Sequence, residues 1–302
     1  MKRVLIIYYS QSGQLKQVLD QMVRPLLEDD TIALTWYEIE MEKPYPFPWK
    51  KTDFFGVFPE SFKQIEQPIL PPSASVLDKN YDLVILGYQV WYLTPSIPIN
   101  SFMKSEYAQQ LLRNTPVITV SGSRNMWIMA QEKLKKQIQV VQGTLVGNIA
   151  LVDRAINLVS VITIVDWMFS GLQRKVWGVL PKPGISSEEI LASHRFGETI
   201  KKYLYSTNYQ GLQEELIQQD AVEVRHFLVS MDRKANRLFG IWSSLILKSS
   251  PQRRPLLLKC FNVYLFLAIW LISPLVHFIH ILLYPLNYKK IQQDKVYFQG
   301  IK

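Results

Sequence analysis

Apolar and polar residues alternate along the first two thirds of the chain in two different periods. Residues 4–9 form a short apolar run rich in β-branched and aromatic side chains, which is typical of a strand buried on both faces. A polar turn follows, and apolar residues then recur every three or four positions, as they do in a helix. Four more strands are predicted at residues 31–40, 82–87, 116–120 and 143–153.

Strands that alternate with helical segments predict an α/β fold built on a parallel, doubly wound sheet. In such sheets the carboxyl ends of the strands meet at one edge, and ligands bind there, where the strand order reverses. The turns after the first, third and fourth predicted strands should therefore lie close together. We expect a ligand site at that edge.

The first of these turns, Ser10 to Gln14, has the character of an anion site. Backbone N–H groups in the first turn of a helix have no partner within it, and the helix dipole favours negative charge there. Small side chains allow a phosphate to approach, and the Ser10 and Ser12 hydroxyls can add hydrogen bonds. The turn fits neither G-x-G-x-x-G nor G-x-x-x-x-G-K-[ST], which disfavours a dinucleotide fingerprint and a P-loop. A capped turn without any ligand is the alternative.

This turn resembles the phosphate loop of flavodoxin-like proteins, a hydroxyl-x-hydroxyl-Gly-x segment after the first strand. The resemblance implies a five-stranded sheet of order 2-1-3-4-5 and FMN as the cofactor. Those loops usually end in Ser or Thr, whereas this chain has Leu15, so one side-chain hydrogen bond to the phosphate is lost. The implied phosphate-binding residues are Ser10, Gln11, Ser12, Gly13, Gln14 and Leu15.

A later segment, GYQVWYLTPSIPINSF, resembles a flavin-contacting loop of flavodoxin-like FMN and quinone reductases. Their pattern is G-x-P-x-[YW]-W followed by P-[AS]-x-[LIV]-K-x-[FW], and here Gln89 and Asn100 replace the Pro and the Lys. The resemblance implies aromatic contacts to the flavin ring from this segment and backbone donors from the loop at 121–125. The implied residues are Gln89, Val90, Trp91, Tyr92, Ser121, Gly122, Ser123 and Asn125. Core packing is the alternative role for the two aromatic residues.

The formal net charge of +9 suits either nucleic acid or an anionic membrane surface as a partner. Basic residues gather on both sides of residues 261–286, a stretch of 26 residues without Asp, Glu, Lys or Arg. This stretch exceeds the roughly 20 residues that a helix needs to cross a bilayer. Because no nucleic-acid module is recognised, we expect membrane association and no nucleic-acid partner. The single cysteine, Cys260, excludes a disulfide framework and fits a reducing compartment.

Ser273 and Pro274 divide the apolar stretch into halves of about 13 residues, each too short to span a bilayer. Positive charge on both flanks conflicts with a simple crossing. A re-entrant or interfacial hairpin with both ends in the cytoplasm satisfies the charges better, and a single kinked crossing stays open. His277 and His280 have no nearby Cys or carboxylate, so no metal site is predicted.

The predicted organisation has three parts. Residues 1–205 form the FMN-binding domain, in which residues 154–181 are an apolar, aromatic insertion that could act as a lid. Residues 206–254 form a helical connector, and residues 255–302 form a membrane-associating tail. A Pro- and aromatic-rich segment at 43–62 is predicted to fold over the sheet edge or over a ligand without forming a helix.

Four features together resemble the bacterial dialkylresorcinol condensing enzymes: LVDRAINLVSVITIVDWMFSG, PKPGISSEEI, the PFPW loop and the apolar tail. The resemblance implies an FMN-dependent aromatase that oxidises a dialkyl cyclohexane-1,3-dione to a 2,5-dialkylresorcinol, after a ketosynthase-like partner has joined two acyl chains. It also implies a lipid-like substrate, aryl-polyene or flexirubin-type products, and a location at the cytoplasmic face of the bacterial inner membrane. The oligomeric state, a dimer included, stays open.

Aromatisation removes a hydride and a proton from the ring while hydrogen-bond donors hold the enolised dione. The candidate donors are Arg124, Asn125 and Arg154, and the candidate bases are Asp153, Asp166 and His194. Asp153 ends the fifth predicted strand, where chemistry is expected, and a structural contact with Arg154 is the alternative. A cap or a solvent-facing position is the alternative for His194.

Two other functions stay open. The first is a membrane-bound NAD(P)H:quinone or flavin reductase, which would use the same fold in the opposite redox direction with electrons from NAD(P)H. The second is a non-catalytic electron carrier or scaffold whose flavin pocket is altered at Leu15 and Gln89.

Overall fold

A six-stranded sheet forms the centre of the computed structural model, which describes residues 1–301. Its strands are Lys2–Tyr8 (β1), Ile32–Glu38 (β2), Leu83–Trp91 (β3), Thr94–Pro95 (β4), Pro116–Ser123 (β5) and Thr144–Val152 (β6). Five strands are parallel in the order β2-β1-β3-β5-β6, and the two-residue β4 pairs antiparallel with the end of β3. The predicted doubly wound sheet and its flavodoxin-like order are confirmed.

Helices connect the strands and cover both faces of the sheet. In chain order they are Gln14–Met22 (α1), Arg24–Leu27 (α2), Lys51–Gly56 (α3), Phe58–Phe62 (α4), Ala74–Leu77 (α5), Ile97–Lys104 (α6), Glu106–Leu112 (α7), Ile128–Val140 (α8), Asn157–Ser170 (α9), Ser187–Ala192 (α10), His194–Ser206 (α11), Leu212–Gln218 (α12), His226–Leu247 (α13), Arg254–Leu267 (α14), Ser273–Leu282 (α15) and Tyr288–Gln299 (α16). A 3₁₀ turn at Val176–Gly178 and a π-helical segment at Ala268–Ile272 complete the assignment.

The first strand shows why the sheet is covered on both faces. Val4 and Ile6 belong to one apolar cluster, with α1, α11 and α12, while Leu5 and Ile7 belong to another, with α6, α7 and α8. All four side chains are fully buried. A continuous apolar run is therefore what this position requires, because alternate residues of a strand point to opposite faces.

Two strands are longer than predicted. β3 continues through Gln89, Val90 and Trp91, which were expected in a loop, because the short β4 pairs back onto it. β5 continues to Ser123, which pairs with Val152 of β6. The segment at 43–62 also differs from the prediction, since it contains the short helices α3 and α4. The single proline of α4, Pro59, occupies the first turn, where a missing N–H is tolerated.

The connector and the tail pack against the α/β core. Leu212 and Leu216 of α12 are fully buried in the sheet-facing cluster. α13 then passes across the carboxyl edge of the sheet, where its Asp232 accepts a hydrogen bond from the Met129 backbone N–H at the start of α8. Leu228 of the same helix shares a small cavity with Val152.

The apolar stretch near the C-terminus is one continuous helical segment, Arg254–Leu282, which comprises α14, the π-helical segment and α15. The predicted division at Ser273 and Pro274 is wrong, because both residues have helical backbone geometry and Pro274 lies in the first turn of α15. Pro274 has no N–H to donate to the preceding turn, and the π-helical hydrogen-bond pattern of the residues just before it accommodates the missing bond. This segment is long and apolar enough to cross a membrane.

Candidate active site

Three segments meet at the carboxyl edge of the sheet, as the strand order requires. Tyr8 at the end of β1 pairs with Gly87 in β3, and Gln89 further along β3 pairs with Gly122 in β5. The turn after β1, the end of β3 and the end of β5 are therefore neighbours. The predicted grouping of these segments is observed in the structure.

The turn after β1 presents unbonded backbone donors. Gly13 has a φ of +80°, which glycine adopts without cost, and the space that a Cβ would fill there is open to a distance of 4 Å. The Ser10 hydroxyl accepts a hydrogen bond from the Lys16 N–H at 3.3 Å. Within residues 1–301, the N–H groups of Gly13, Gln14 and Leu15 have no acceptor. The start of α1 thus has the donors that an anion requires.

Three of the residues predicted to bind phosphate have side chains that bond or pack elsewhere. Gln11 donates to the Pro46 carbonyl and accepts from the Trp49 indole N–H, both at 2.9 Å. Gln14 is buried and bonds to both backbone groups of Ile185, at 2.9 and 3.1 Å. Leu15 is 2% exposed and packs in the core. This packing explains why an apolar residue stands where the loop pattern has Ser or Thr. These residues position the turn, and the anion donors are its backbone groups.

The end of β3 is a strained hairpin. Trp91 pairs with Thr94, and the two residues between them, Tyr92 and Leu93, have φ values of +51° and +63°. Positive φ at both central residues gives the turn geometry that suits a two-residue hairpin, but it is costly for residues other than Gly, Asn and Asp. The Tyr92 hydroxyl, which donates to the Phe54 carbonyl at 2.6 Å, helps to hold this conformation.

An aromatic cluster surrounds Trp91 and connects the hairpin to the phosphate turn. The rings of Tyr9, Tyr45 and Trp49 lie 6.0, 5.0 and 5.4 Å from the Trp91 ring, each near an edge-to-face orientation. Burial raises the pKa of Tyr45 to about 12, so its hydroxyl stays a donor at neutral pH. Sequence reasoning missed Tyr9, Tyr45 and Trp49, although the Pro-rich segment was expected over this edge.

Buried polar atoms without partners lie at the same edge. Gln89 Oε1, Ser123 Oγ and Asn125 Oδ1 are each buried and make no hydrogen bond within residues 1–301. Leaving a buried acceptor unsatisfied costs about 1–3 kcal/mol, so such atoms are uncommon and call for a partner. Their positions at the ends of β3 and β5 are those predicted for contacts to a flavin ring.

Arg124 follows Ser123 in the chain and forms no direct ion pair within residues 1–301, although the charge of Asp153 acts on it. Its Nη1 donates to Oδ1 and the backbone carbonyl of Asn157, at 2.9 and 3.3 Å, and Asn125 donates to the same Oδ1 at 2.8 Å. No carboxylate among residues 1–301 forms an ion pair with Arg124. Burial lowers the pKa of Arg124 to about 10, which still leaves a cation at neutral pH. Asn157, at the start of α9, was not predicted from the sequence.

The contacts of Asp153 are those of a residue that holds the fold together. It is 2% exposed, and its carboxylate accepts from the Ala155 N–H at 2.9 Å, the Ser160 hydroxyl at 2.8 Å and the Gly184 N–H at 3.3 Å. Gly184 has a φ of +87° and lies so close to Gln14 that a Cβ would overlap it. A carboxylate that holds three donors connects β6, α9 and the segment beside the phosphate turn. These contacts favour a positioning role over that of a base.

The other catalytic candidates have charged or backbone partners of their own. Arg154 pairs with Glu189 at 2.7 Å and Glu223 at 2.8 Å, which raises its pKa. Asp166 pairs with Arg174 at 3.0 Å, and this hydrogen bond lowers the Asp166 pKa. His194 is exposed, and its Nδ1 lies 2.9 Å from the Leu191 carbonyl in the preceding helix α10, so it faces solvent as the alternative interpretation expected.

The insertion at 154–181 contacts the aromatic segment. The ring of Trp167 in α9 lies 6.2 Å from the ring of Phe47, and the backbone N–H of Trp49 donates to the Met168 carbonyl at 2.8 Å. α9 thus supports the Pro-rich segment from outside, and that segment in turn is bonded to the phosphate turn. The whole arrangement is a sheet edge with backbone anion donors, flat aromatic side chains, unpaired acceptors and one unpaired cation.

Comparison with known proteins gives structural similarities at low identity. A flavoprotein from Lactobacillus acidophilus NCFM in complex with FMN is 18% identical, covers 50% of this chain and 93% of its own, and has a TM-score of 0.39. A protein from Bacteroides eggerthii DSM 20697 assigned as a flavoprotein is 19% identical over 51% of this chain and 91% of its own, with a TM-score of 0.40.

RosB, solved with a bound intermediate, 8-demethyl-8-formylriboflavin-5'-phosphate, is 9% identical, covers 74% of this chain and 90% of its own, and has a TM-score of 0.37. No family model and no curated protein matches the sequence. The function of this chain must therefore be judged from its own residues.

Proposed function

We propose that this chain is an FMN-dependent oxidoreductase that acts on an apolar substrate. The observation that carries the proposal is the convergence, at one sheet edge, of three unbonded N–H groups at the start of α1 and three unpaired buried polar atoms on β3, on β5 and in the loop after β5. A phosphate ester suits the first set, and a ring with N–H and C=O groups suits the second. FMN combines both, and the flavoproteins of similar fold support this choice.

The residues present fit FMN in the following roles. The N–H groups of Gly13, Gln14 and Leu15 would hold the phosphate, and Trp91 would lie beside the ring. Gln89 and Ser123 would pair with its polar edge. When bound, FMN supplies a two-electron acceptor or donor, which the side chains of this edge do not supply themselves.

For the substrate we propose a dialkyl cyclohexane-1,3-dione that is oxidised to a 2,5-dialkylresorcinol. In this oxidation the ring would lose one hydride and one proton; bound FMN would supply the hydride acceptor, and the proton would pass to solvent water. Arg124 supports this choice, because an unpaired guanidinium held by Asn157 can bind the enolate oxygen of the dione. Aromatic side chains around Trp91 suit alkyl chains. The proposal includes a lipid-like substrate at a membrane surface, supported by the exposed apolar segment Arg254–Leu282.

Anaerobic single-turnover mixing tests this function. Protein loaded with FMN in detergent is mixed with one equivalent of a dialkyl cyclohexane-1,3-dione, and flavin absorbance and resorcinol are both followed. Loss of flavin absorbance with an equal amount of resorcinol is the expected result. Arg124→Gln should slow this step, whereas Arg174→Gln, which removes an arginine that pairs with Asp166, should not.

Other outcomes would overturn the proposal in different ways. Rapid reduction by NADPH without resorcinol formation would identify a reductase that runs in the opposite redox direction. Purified protein that neither contains nor takes up flavin would identify a non-catalytic scaffold.

A further inference from the structure

The segment Arg254–Leu282 is exposed along its length, and yet it is attached to the protein at both ends. Only 6% of its most apolar 18-residue stretch is buried. Near its start, Arg254 donates to the Gly56 carbonyl at 3.0 Å and pairs with Glu60 at 2.8 Å. Near its end, the His280 ring stacks on His226 at 5.3 Å. The segment is about 43 Å long at 1.5 Å per residue, so both anchor points hold it flat against one body.

The helix between this segment and the sheet cannot enter hydrocarbon. α13 lies alongside the apolar segment, with Trp242 against Phe261 and Phe227 against His277. Near its middle α13 carries three exposed cationic residues, Arg233, Lys234 and Arg237. Charged side chains at the centre of a bilayer are costly, so α13 must stay outside the acyl chains.

The chain after the apolar segment returns to the same body. In α16, Asp294 pairs with Arg233 at 3.0 Å, and Ile291 and Phe298 are buried. A helix that crossed the bilayer would put α16 on the far side, where these contacts with α13 could not form. The contacts of α16 therefore exclude a crossing for this arrangement of the chain.

The charges around the apolar segment match a lipid surface. Between residues 248 and 293 the sequence has no Asp or Glu. The basic residues that flank the apolar face are exposed: Lys248, Arg253, Lys259, Lys289 and Lys290. Anionic headgroups attract such residues, while apolar side chains between them enter the acyl boundary.

We propose that Arg254–Leu282 lies in the plane of an anionic membrane surface, with its outer face in the acyl boundary, and does not cross the bilayer. This orientation keeps the interfacial location and the one-sided ends of the predicted hairpin, but the segment is one continuous helix without a turn at Ser273. α13, which covers the carboxyl edge of the sheet, separates that edge from the lipid by one helix layer. The inference refines the membrane location included in the proposed function and is independent of flavin chemistry.

Depth measurement with lipid-attached quenchers tests the orientation. In a Cys260→Ser background, Val263→Cys, Leu271→Cys and Ile281→Cys each carry one fluorescent label, and all three positions are more than half exposed. The full-length protein is bound to phosphatidylcholine vesicles that contain phosphatidylglycerol. An in-plane segment gives three equal, shallow depths. A crossing or a re-entrant hairpin would put the label at position 271 about 12 Å deeper than the label at 263, and this result would overturn the proposal.

Vesicle sedimentation tests the docking surface itself. Phe278→Glu places a charge on the outer face and should weaken binding to the same vesicles about tenfold. Val140→Glu is the matched control, since Val140 is an equally apolar, exposed residue on α8, and it should bind like the parent. Equal binding of both variants, or no binding of the parent, would overturn the proposal. Flavin content measured in detergent should be the same for the parent, Phe278→Glu and Val140→Glu. Failure of the membrane proposal can therefore be distinguished from failure of the proposed function.

Discussion

The Ser12→Asp substitution tests the phosphate turn. Ser12 is half-buried in that turn, and its hydroxyl makes no hydrogen bond within the part of the chain that the structure describes. It precedes Gly13, Gln14 and Leu15, whose N–H groups are free. A carboxylate at this position would occupy the anion site with a negative charge of its own and repel a phosphate.

The expected loss follows from Coulomb's law. A carboxylate about 5 Å from a phosphate charge, at an effective dielectric constant of about 20, raises the energy by about 3 kcal/mol. This energy corresponds to an FMN dissociation constant about a hundredfold higher at low salt. Added salt should reduce the effect, because the turn is only half-buried.

Equilibrium titration followed by flavin fluorescence measures the effect, with riboflavin as the second ligand. Ser12→Asn is the control, because it has nearly the size of the carboxylate without its charge, and it should bind FMN within about threefold of the parent. Riboflavin lacks the phosphate, so Asp and Asn variants should bind it equally. If Ser12→Asp weakens riboflavin as much as FMN, or weakens neither, the turn does not hold the phosphate.

Three further substitutions test packing, titration and the cover of the turn. Gly197→Ala should abolish folding or lower the melting temperature strongly, because the new Cβ would lie 1.9 Å from the Met22 carbonyl oxygen in α1. Gly240→Ala in α13 is the control, and in thermal unfolding it should be neutral or stabilise the fold by about 0.5–1 kcal/mol. Burial raises the pKa of Asp232 to about 7, so the folded chain keeps a proton that the unfolded chain releases above about pH 4. The free energy of unfolding should therefore fall between pH 4 and 7, by at most about 1.4 kcal/mol per unit, and denaturant titrations of Asp232→Asn should show a flatter profile. Trp49→Phe keeps a ring beside the aromatic cluster but loses the indole donor to the turn, and it should lower that free energy by about 1 kcal/mol, in contrast to the exposed Trp177→Phe.

The alternation of strands and helices was predictable, because apolar runs are followed by helix-period segments, whereas the order of the strands came from the resemblance to flavodoxin-like proteins. Residues 4–9 illustrate this, since both faces of β1 are buried and no polar residue interrupts the run. The hairpin at Tyr92 and Leu93 was not predictable, because the turn contains no Gly, Asn or Asp. As a result, Gln89, Val90 and Trp91 were assigned to a loop.

The role of Asp153 could not be derived from its position in the sequence. Its end-of-strand location suits a catalytic residue, but two of its donors come from Ser160 and Gly184, which only the folded chain brings to it. Likewise, the unpaired state of Arg124 depends on which carboxylates the fold places nearby. Hydropathy predicted the apolar helix, but not its orientation, which α13 and α16 determine through long-range contacts.

The most direct measurement of the central claim is a titration of the purified parent protein with FMN and, separately, with riboflavin. Three charge-assisted hydrogen bonds from the start of α1, at about 1.5 kcal/mol each, predict a preference for FMN of about a thousandfold, with one FMN bound per chain. Equal affinity for the two flavins, or no change in the flavin spectrum on mixing, would contradict the claim that this sheet edge is an FMN site.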